Sequence, residues 1–531
     1  MVAAQLTKDV QEGLAAGHVS VSVRSIAGGD RRLDAEVYLS PGFLCRHEIV
    51  RAFPDARPLG NFAQIWQPNR LKGIQVGEGH GAPFLAATQV FDIWPRPRKW
   101  LAQGKTPDLV NRFVGPGWIL ITCSGTVGDC IITYSPHGAT IISHDLQRVV
   151  PRSEGMRGYL YTFLLTYYGR MMMLSSHYGN IIKHLEVAHL EALPIPVLDE
   201  LVDDLNQEVA EVYQLRDEAY RLDMTARQRF TEALGVPELA EPDTGFAIRG
   251  SELFGGRRRL DAYNHNPRAR AIVALLAREA RSLESVRQVA ATFLPTRFKR
   301  NYVEDGEPFW GSEDVFKLNS RITKYLSRSA PISLDTFRVE KHWLLMARSG
   351  QIYGLNGTVI LANERHAAGL VSEHILRVVP DRQRIRPGYL QMALGHPDLG
   401  TPLVLSNAFG TSIPELAPED IDRVPVVRLG QQEEGLIADA VEEASELRMK
   451  ADEKENGAVG RLERELERRI GAPARKSPKL RPDVAETDYR VMMEATGQTP
   501  KTAPPRARGE AERNAEAVKR AKKGGRPRKQ S

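Results

Sequence analysis

Residues 199 to 234 carry apolar side chains every three or four positions: Leu201, Leu205, Val209, Val212, Leu215, Ala219, Leu222, Ala226, Phe230 and Leu234. That spacing lays one apolar stripe along a long helix and gives it the seam of a coiled coil. A second stripe follows at Ile437, Val441, Ala444, Leu447, Ala451, Leu462, Leu466 and Ile470. Lys454 to Gly457 interrupts it, which predicts a bend or a frayed turn there. Ahead of each stripe the pattern changes. ILITCSG (119–125), DCIITY (129–134) and Ser143 to Pro151 read as strands bounded by Gly and Pro, and 157–174 reads as a helix. The alternation returns at 343–361, 372–380 and 386–395.

The return is a duplication. RRLDAEVYLSP at 31–41 is answered by RRLDAYNHNP at 258–267, and Arg70-Leu71-Lys72 by Arg297-Phe298-Lys299, both at an offset of 227. WILITCSG (118–125) matches WLLMARSG (343–350) at 225, and Gly158-Tyr159-Leu160 matches Gly388-Tyr389-Leu390 at 230. Order is preserved and the offset drifts by only a few residues. A period above 200 residues means two copies of a whole domain rather than a solenoid. The predicted organisation is α/β (α+β): a first domain over 1–198, a long helix over 199–234 and a linker over 235–257. A second domain over 258–429 and a second long helix over 430–470 follow, then a tail over 471–531 rich in Pro, Lys, Arg and Ala. The tail lacks an apolar period and is expected to be disordered apart from short helical stretches.

Length and composition agree with this. A chain of 531 residues, 42% hydrophobic and 26% charged, is too long for one core and apolar enough to fold. Cys45, Cys123 and Cys130 form no CxxC pair and no even framework, which favours a reducing compartment and argues against structural zinc. The N-terminal stretch lacks a basic segment followed by an apolar one, so no secretory signal is expected. The most apolar run, Tyr159 to Tyr168, is about half of what a membrane span needs. A cytoplasmic protein is expected. The net charge is +6, but residues 473–531 alone carry 16 basic and 7 acidic side chains, which leaves the rest of the chain at −3. Any basic surface on the folded part must be local.

Several short strings imitate catalytic motifs and fail their requirements. A nucleophile elbow needs glycine two residues either side of its serine, whereas Thr122 and Thr126 flank Ser124. Cys123 becomes Arg348 in the second copy while Ser-Gly persists, as a structural turn would. Gly104-Lys105-Thr106 lacks the upstream glycine of a phosphate loop, where Lys99 stands instead. His184 and His189, five apart, cannot share one helical face as a zinc pair does. No methyltransferase motif, SAM-binding glycine loop or nuclease carboxylate–lysine cluster is evident.

Two divergent α/β domains, each followed by a long helix, resemble the specificity subunit of type I restriction-modification systems. The likeness rests on RRLDAEVYLSP, GWILITCSGTVGD, the Gly158-Tyr159-Leu160-Tyr161 helix, His177-Tyr178-Gly179 and HLEALPIPVLDE. The second copy repeats it as GRRRLDAYNHNP, WLLMARSGQIYG, PGYLQMAL, NAFGTSIPEL and IDRVPVV. Together they cover residues 30 to 470. Arg348, Asp145 against His374, and the basic tail depart from the family pattern. The resemblance implies a non-catalytic reader of double-stranded DNA, with two target recognition domains reading the halves of a split sequence. It implies long antiparallel helices that hold the domains apart and dock two adenine methyltransferase subunits, with motor-nuclease subunits completing the complex. No cofactor is implied on this chain; SAM, ATP and Mg belong to the partners. Two other readings stay open: an adaptor that targets another phage-defence assembly to DNA, and a hydrolase or nuclease with its own active site.

DNA contacts call for Arg, Lys, Asn or Gln at exposed edges. The richest clusters in the first copy are Asn69, Arg70 and Lys72, and Arg96, Arg98 and Lys99. In the second copy they are Arg297, Lys299, Arg300, Arg321 and Lys324. Trp66, Trp94 and Trp310 read as core rather than as base-stacking groups. In the tail, Gly525, Arg526, Pro527 and Arg528 resemble an AT-hook suited to a narrow minor groove; a generic polybasic end is the simpler reading.

Overall fold

A computed structural model of the chain describes residues 38, 40–70, 73–106, 109–138, 140–175, 184–235, 245–253, 258–352 and 354–471. The chain divides into two compact units. Of the described residues, one holds those up to Asp217 together with Lys450 to Gly471, and the other holds Glu218 to Met449.

In the first unit, β1 (Ala63–Trp66), β4 (Ile119–Thr122), β5 (Cys130–Ile132) and β7 (Leu146–Pro151) form an antiparallel sheet in the order β1-β7-β4-β5. A smaller sheet joins β2 (Ala82–Leu85), β3 (Lys99–Leu101), β6 (Ile141–Ile142) and the short strand Gln75–Val76, with β2 antiparallel to β3 and parallel to β6. Against the larger sheet pack α1 (Pro41–Ala52), α2 (Arg157–Leu165) and α3 (Tyr167–Ser175). Every residue of β4 is buried, so the apolar run that marks it in the sequence is a core strand.

The second unit repeats this frame. Its strands β8 (Ala290–Phe293), β11 (Leu344–Ala347), β12 (Val359–Leu361) and β14 (Ile375–Pro380) take the order β8-β14-β11-β12. Its smaller sheet sets β9 (Tyr302–Trp310) antiparallel to β10 (Lys324–Leu326) and parallel to β13 (Leu370–Val371). Helices α5 (Pro267–Glu279), α6 (Pro387–Gly395) and α7 (Gly400–Leu405) pack into the same core. The duplication read from the sequence is thus a duplication of strand order and direction.

The long helices are α4 (Asp199–Ala233) and α8 (Gln431–Ile470). The first unit contains the start of α4 and the end of α8. There Glu200 pairs with Arg469, Glu208 with Arg461 (3.1 Å), Glu211 with Lys454 (2.6 Å) and Arg216 with Asp452 (3.2 Å). Partner numbers fall on α8 as they rise on α4, so the segments run antiparallel. In the second unit Asp223 pairs with Arg448 and Arg229 with Glu433 (2.6 Å), in the same sense. The exposed pairs among these, such as Glu200–Arg469 and Glu211–Lys454, contribute at most about 1 kcal/mol each. The apolar seam supplies more. Leu205, Val209, Ala458, Leu462, Leu466 and Ile470 join the core of the first unit, and Ala226, Phe230, Ile437, Ala438 and Val441 that of the second.

The seam departs from the apolar stripe in its middle. Leu215, Leu222 and Leu447 are only half-buried, whereas Arg216, Asp223, Asp452 and Glu455 are buried. The Arg216 guanidinium donates to both Glu455 oxygens (2.9 and 3.0 Å) and to Asp452 (3.2 Å), and the Tyr161 hydroxyl donates to Glu455 (2.6 Å). The interruption at Lys454–Gly457 therefore does not break or fray the helix. Helix α8 runs on, and Glu455 fills the seam as an acceptor.

Each domain docks on a long helix through one glycine. A Cβ on Gly158 would lie 2.5 Å from Cα of Asn206 on α4, and one on Gly388 2.5 Å from the carbonyl oxygen of Ala438 on α8. The close approach lets the Gly158 N–H donate to Asn206 Oδ1 (2.6 Å) and the Gly388 N–H to Glu442 Oε1 (2.9 Å), satisfying free amides at the starts of α2 and α6. In both units a buried tyrosine one residue on, Tyr159 or Tyr389, donates its hydroxyl to a backbone carbonyl at 2.6 Å, that of Pro196 or Val427.

Candidate nucleic-acid interface

At one end of each larger sheet, four segments converge: the exit of β1 or β8, the turn after β4 or β11, the loop before β7 or β14, and a later segment at 184–185 or 415–416. Their backbone frame is the same in both units. The Cys123 N–H donates to the Asp145 carbonyl (3.0 Å) and the Leu185 N–H to that of Cys123 (2.9 Å). In the second unit the Arg348 N–H donates to His374 (3.1 Å) and the Leu416 N–H to Arg348 (2.8 Å). An antiparallel bridge joins Ser124 to His184 in one and Ser349 to Glu415 in the other.

A buried arginine fixes the loop before the last strand of each sheet. Arg148 donates to the carbonyls of Ser143 and Ile142, both at 2.9 Å, and Arg377 to those of Ser372 (2.8 Å), Val371 and Ile375. Each is fully buried and 229 residues from its counterpart. A buried charge satisfied only by main-chain oxygens holds those carbonyls in one geometry, because losing it would leave several of them unpaired. Two buried histidines repeat in the same way. The Tyr134 N–H donates to His137 Nδ1 (3.1 Å) and the Asn363 N–H to His366 Nδ1 (3.2 Å), and burial pushes both imidazoles down to about 4.

On this common frame the side chains differ. In the first unit Ser124 Oγ lies 3.1 Å from His184 Nδ1. Burial pushes the Cys123 thiol up to about 11, which leaves it protonated and a poor nucleophile near neutrality. In the second unit the place of His184 is taken by Glu415. It accepts from Arg297 Nη2 (3.0 Å) and from Arg348 Nη2 (2.8 Å). The Ser–His contact is therefore peculiar to one copy, while the turn belongs to both. Among the described residues, no three His, Cys, Asp or Glu side chains are grouped so as to hold a metal, and no helix is long and apolar enough to cross a membrane.

The sequence-derived candidates fall in different places. Asn69 and Arg70 are exposed on the segment leaving β1, and the Asn69 carbonyl accepts from Arg112 (2.9 Å). Lys99 opens β3 of the smaller sheet, and Arg96 and Arg98 lie on the segment leading into it. Arg98 is tied to buried Asp92 (3.5 Å), whereas Lys99 is exposed on β3. Arg297 and Lys299 are exposed. Arg300 donates to Glu373 (2.6 Å) and to the Tyr302 hydroxyl (3.1 Å), and Lys324 Nζ lies 5.6 Å from the Tyr302 ring centre. Arg300 and Lys324 are thus brought together around Tyr302, and Arg297 joins Arg348 around Glu415. Arg321 is half-buried. Lys72 and the tail residues Gly525, Arg526, Pro527 and Arg528 lie outside the described residues, as do His177-Tyr178-Gly179 and most of RRLDAEVYLSP. Trp310 is buried, and Trp66 packs edge-on against Trp118 at 5.2 Å.

Glu415, Arg348, His184 and His374 were not among the candidates. Arg348 and His374 were visible only as mismatches between copies. Glu415 and His184 share the offset of 231 that relates Leu185 to Leu416, but only the bridges to Ser124 and Ser349 place them at the sheet end. Burial lowers the His374 pKa, and Arg297, Arg300 and Arg348 lower it further against the pull of Glu373.

No protein-family model matches the chain, and no curated protein matches its sequence. Similar solved structures include the type I restriction-modification S subunit from M. genitalium, at 11% identity and a TM-score of 0.29, covering 79% of this chain and 96% of that one. A chain from a type I R-M system, solved in work on its complex assembly and conformational transition, is 12% identical with a TM-score of 0.24, covering 79% and 97%. The HsdS subunit from Thermoanaerobacter tengcongensis is 11% identical with a TM-score of 0.23, covering 78% and 94%.

Proposed function

We propose that the chain is the DNA-specificity subunit of a type I restriction-modification complex. Each unit reads one half of a bipartite duplex target, α4 and α8 set the gap between the halves, and the helices dock adenine methyltransferase subunits. Motor-nuclease subunits join that core, and SAM, ATP and Mg act on the partners. The observation that carries this reading is the repeated frame with exchanged side chains. A single binding function requires one copy, and two enzymatic sites would retain their reactive groups. Two copies that keep the buried Arg148/Arg377 and His137/His366 scaffold while exchanging what stands at the sheet end suit a reader of two different half-sites.

Selection by the purified full chain from a pool of randomised duplexes tests this. Two blocks of base preference separated by a fixed run of indifferent positions are expected. A single continuous block, or binding with no base preference, overturns it.

A further inference from the structure

The two sheet ends share one backbone geometry, so their differences isolate what each presents. Cys123 stands where Arg348 does, His184 where Glu415 does, and Arg70 where Arg297 does, on the pairings set out above. Arg70 is exposed and makes no ion pair among the described residues. Its counterpart Arg297 is 56% exposed, yet Glu415 Oε1 holds its Nη2 at 3.0 Å. Glu415 is itself braced. Its Oε2 accepts from Arg348 Nη2 (2.8 Å), and Arg348 Nε donates to the Leu416 carbonyl (3.2 Å).

We propose that Arg297 reads a guanine in the half-site of the second unit, with Glu415 as its positioning residue and Arg348 bracing that carboxylate. The inference rests on the DNA-reading function proposed above. A guanidinium presents its donors as a rigid fork that matches O6 and N7 of guanine, provided its plane is fixed before contact. Holding Nη2 through one hydrogen restrains that plane and leaves Nη1, Nε and the second Nη2 hydrogen without a protein partner among the described residues. The carboxylate also repels phosphate, which disfavours loose backbone contacts at this position. Among the described residues Arg70 has no such orienting group, because His184 stands in place of the carboxylate and Cys123 in place of the brace. An untethered arginine suits a sequence-indifferent phosphate contact. The same frame therefore carries a base-reading arginine in one unit and a backbone-anchoring arginine in the other.

Selection from randomised duplexes by the full-length chain, with competition binding on the selected site, distinguishes these roles. Arg297→Ala is expected to lower discrimination for one guanine in one half-site by about ten- to a hundred-fold, leaving the other half-site unchanged. Arg297→Lys, which keeps the charge and loses the fork, is expected to lose the same preference at an unchanged salt slope. Glu415→Gln is expected to weaken the guanine preference while raising affinity for unrelated duplex, a combination that mere loss of structure would not give. Arg70→Ala is expected to weaken all sequences alike and to lower the salt slope by about one. Uniform weakening by Arg297→Ala with the motif intact would make Arg297 a phosphate contact and overturn the proposal. Full guanine preference in Glu415→Gln would remove the positioning role. A wild-type chain that selects no motif overturns the function proposed above and this inference with it.

Discussion

Arg216 on α4 is 2% exposed and answers two buried carboxylates, Asp452 and Glu455 on α8, at 3.2 and 2.9 Å. Replacing it with methionine keeps most of the apolar stem and removes the charge. Asp452 and Glu455 are then left buried without their cation, and Tyr161 has only Glu455 to serve. Breaking a buried pair in this way costs about 3–5 kcal/mol. That is a large share of the roughly 5–15 kcal/mol by which a domain is stable. Global unfolding of a chain with two units is not a two-state process, so the better assay is hydrogen exchange followed by mass spectrometry on peptides around 208–220 and 448–460. A loss of about 3 kcal/mol lowers protection there by about a hundred-fold, at 1.4 kcal/mol per factor of ten. Adding Asp452→Leu, Glu455→Leu and Tyr161→Phe to Arg216→Met removes the stranded groups and is expected to restore protection, since apolar replacement of a whole buried ionic cluster is often neutral or stabilising. Unchanged protection in the single variant, or no recovery in the combined one, would refute the reasoning. The cluster has a counterpart in Asp223 and Arg448, each 232 residues from its equivalent, Glu455 and Arg216. Paired ionic groups at a helix seam set register more than they add stability.

Further outcomes follow from the same geometry. His137 and His366 titrate near 4 when folded, because burial disfavours the imidazolium, and near 6.5 when unfolded. The unfolded chain therefore takes up these protons first, so the stability they leave intact above about pH 6.5 is lost as pH falls toward 4. At pH 5 this is about 2 kcal/mol for each histidine. Hydrogen-exchange protection of the second unit at pH 7 and pH 5, corrected for the intrinsic exchange rate, checks it: His366→Gln should lose less protection on acidification than the wild type, and equal losses would contradict the assignment. Gly388→Ala forces a Cβ to within 2.5 Å of the Ala438 carbonyl and should destabilise the second unit by about 1–3 kcal/mol, read as faster exchange in α6. Seven residues of helix inserted opposite one another in α4 and α8 add about 10 Å. At 3.4 Å per base pair the gap should lengthen by about three base pairs with both half-sites unaltered; an unchanged gap would remove the ruler role.

The repeat and the long helices were legible because they are written in apolar spacing, which burial enforces on both copies. Matched strings such as WILITCSG and WLLMARSG marked equivalent strands in the two copies, but the strand order of the larger sheet was not legible in them. The ionic middle of the helix seam was not legible. Arg216 and Glu455 read as solvated residues beside Leu215 and a polar break at Lys454–Gly457, and only the facing helix shows that they are buried. The candidate site was half legible. Arg70, Arg297 and Lys299 stand out by type and pairing between copies. Glu415 does not, because its partner position in the first copy is a histidine and only the backbone bridge shows that it stands beside Arg348. Arg98 was misleading for the opposite reason, since its basic neighbours hide a tie to buried Asp92.

The central claim is that one chain with two copies of one frame addresses two different stretches of duplex for a methyltransferase. Methylome sequencing of cells that express this chain with the adenine methyltransferase proposed as its partner tests it most directly. The account predicts adenine methylation confined to a bipartite motif with two unlike halves and an indifferent gap, appearing only when the chain is present. Methylation at a continuous motif, at a palindrome of identical halves, or independent of the chain would contradict it.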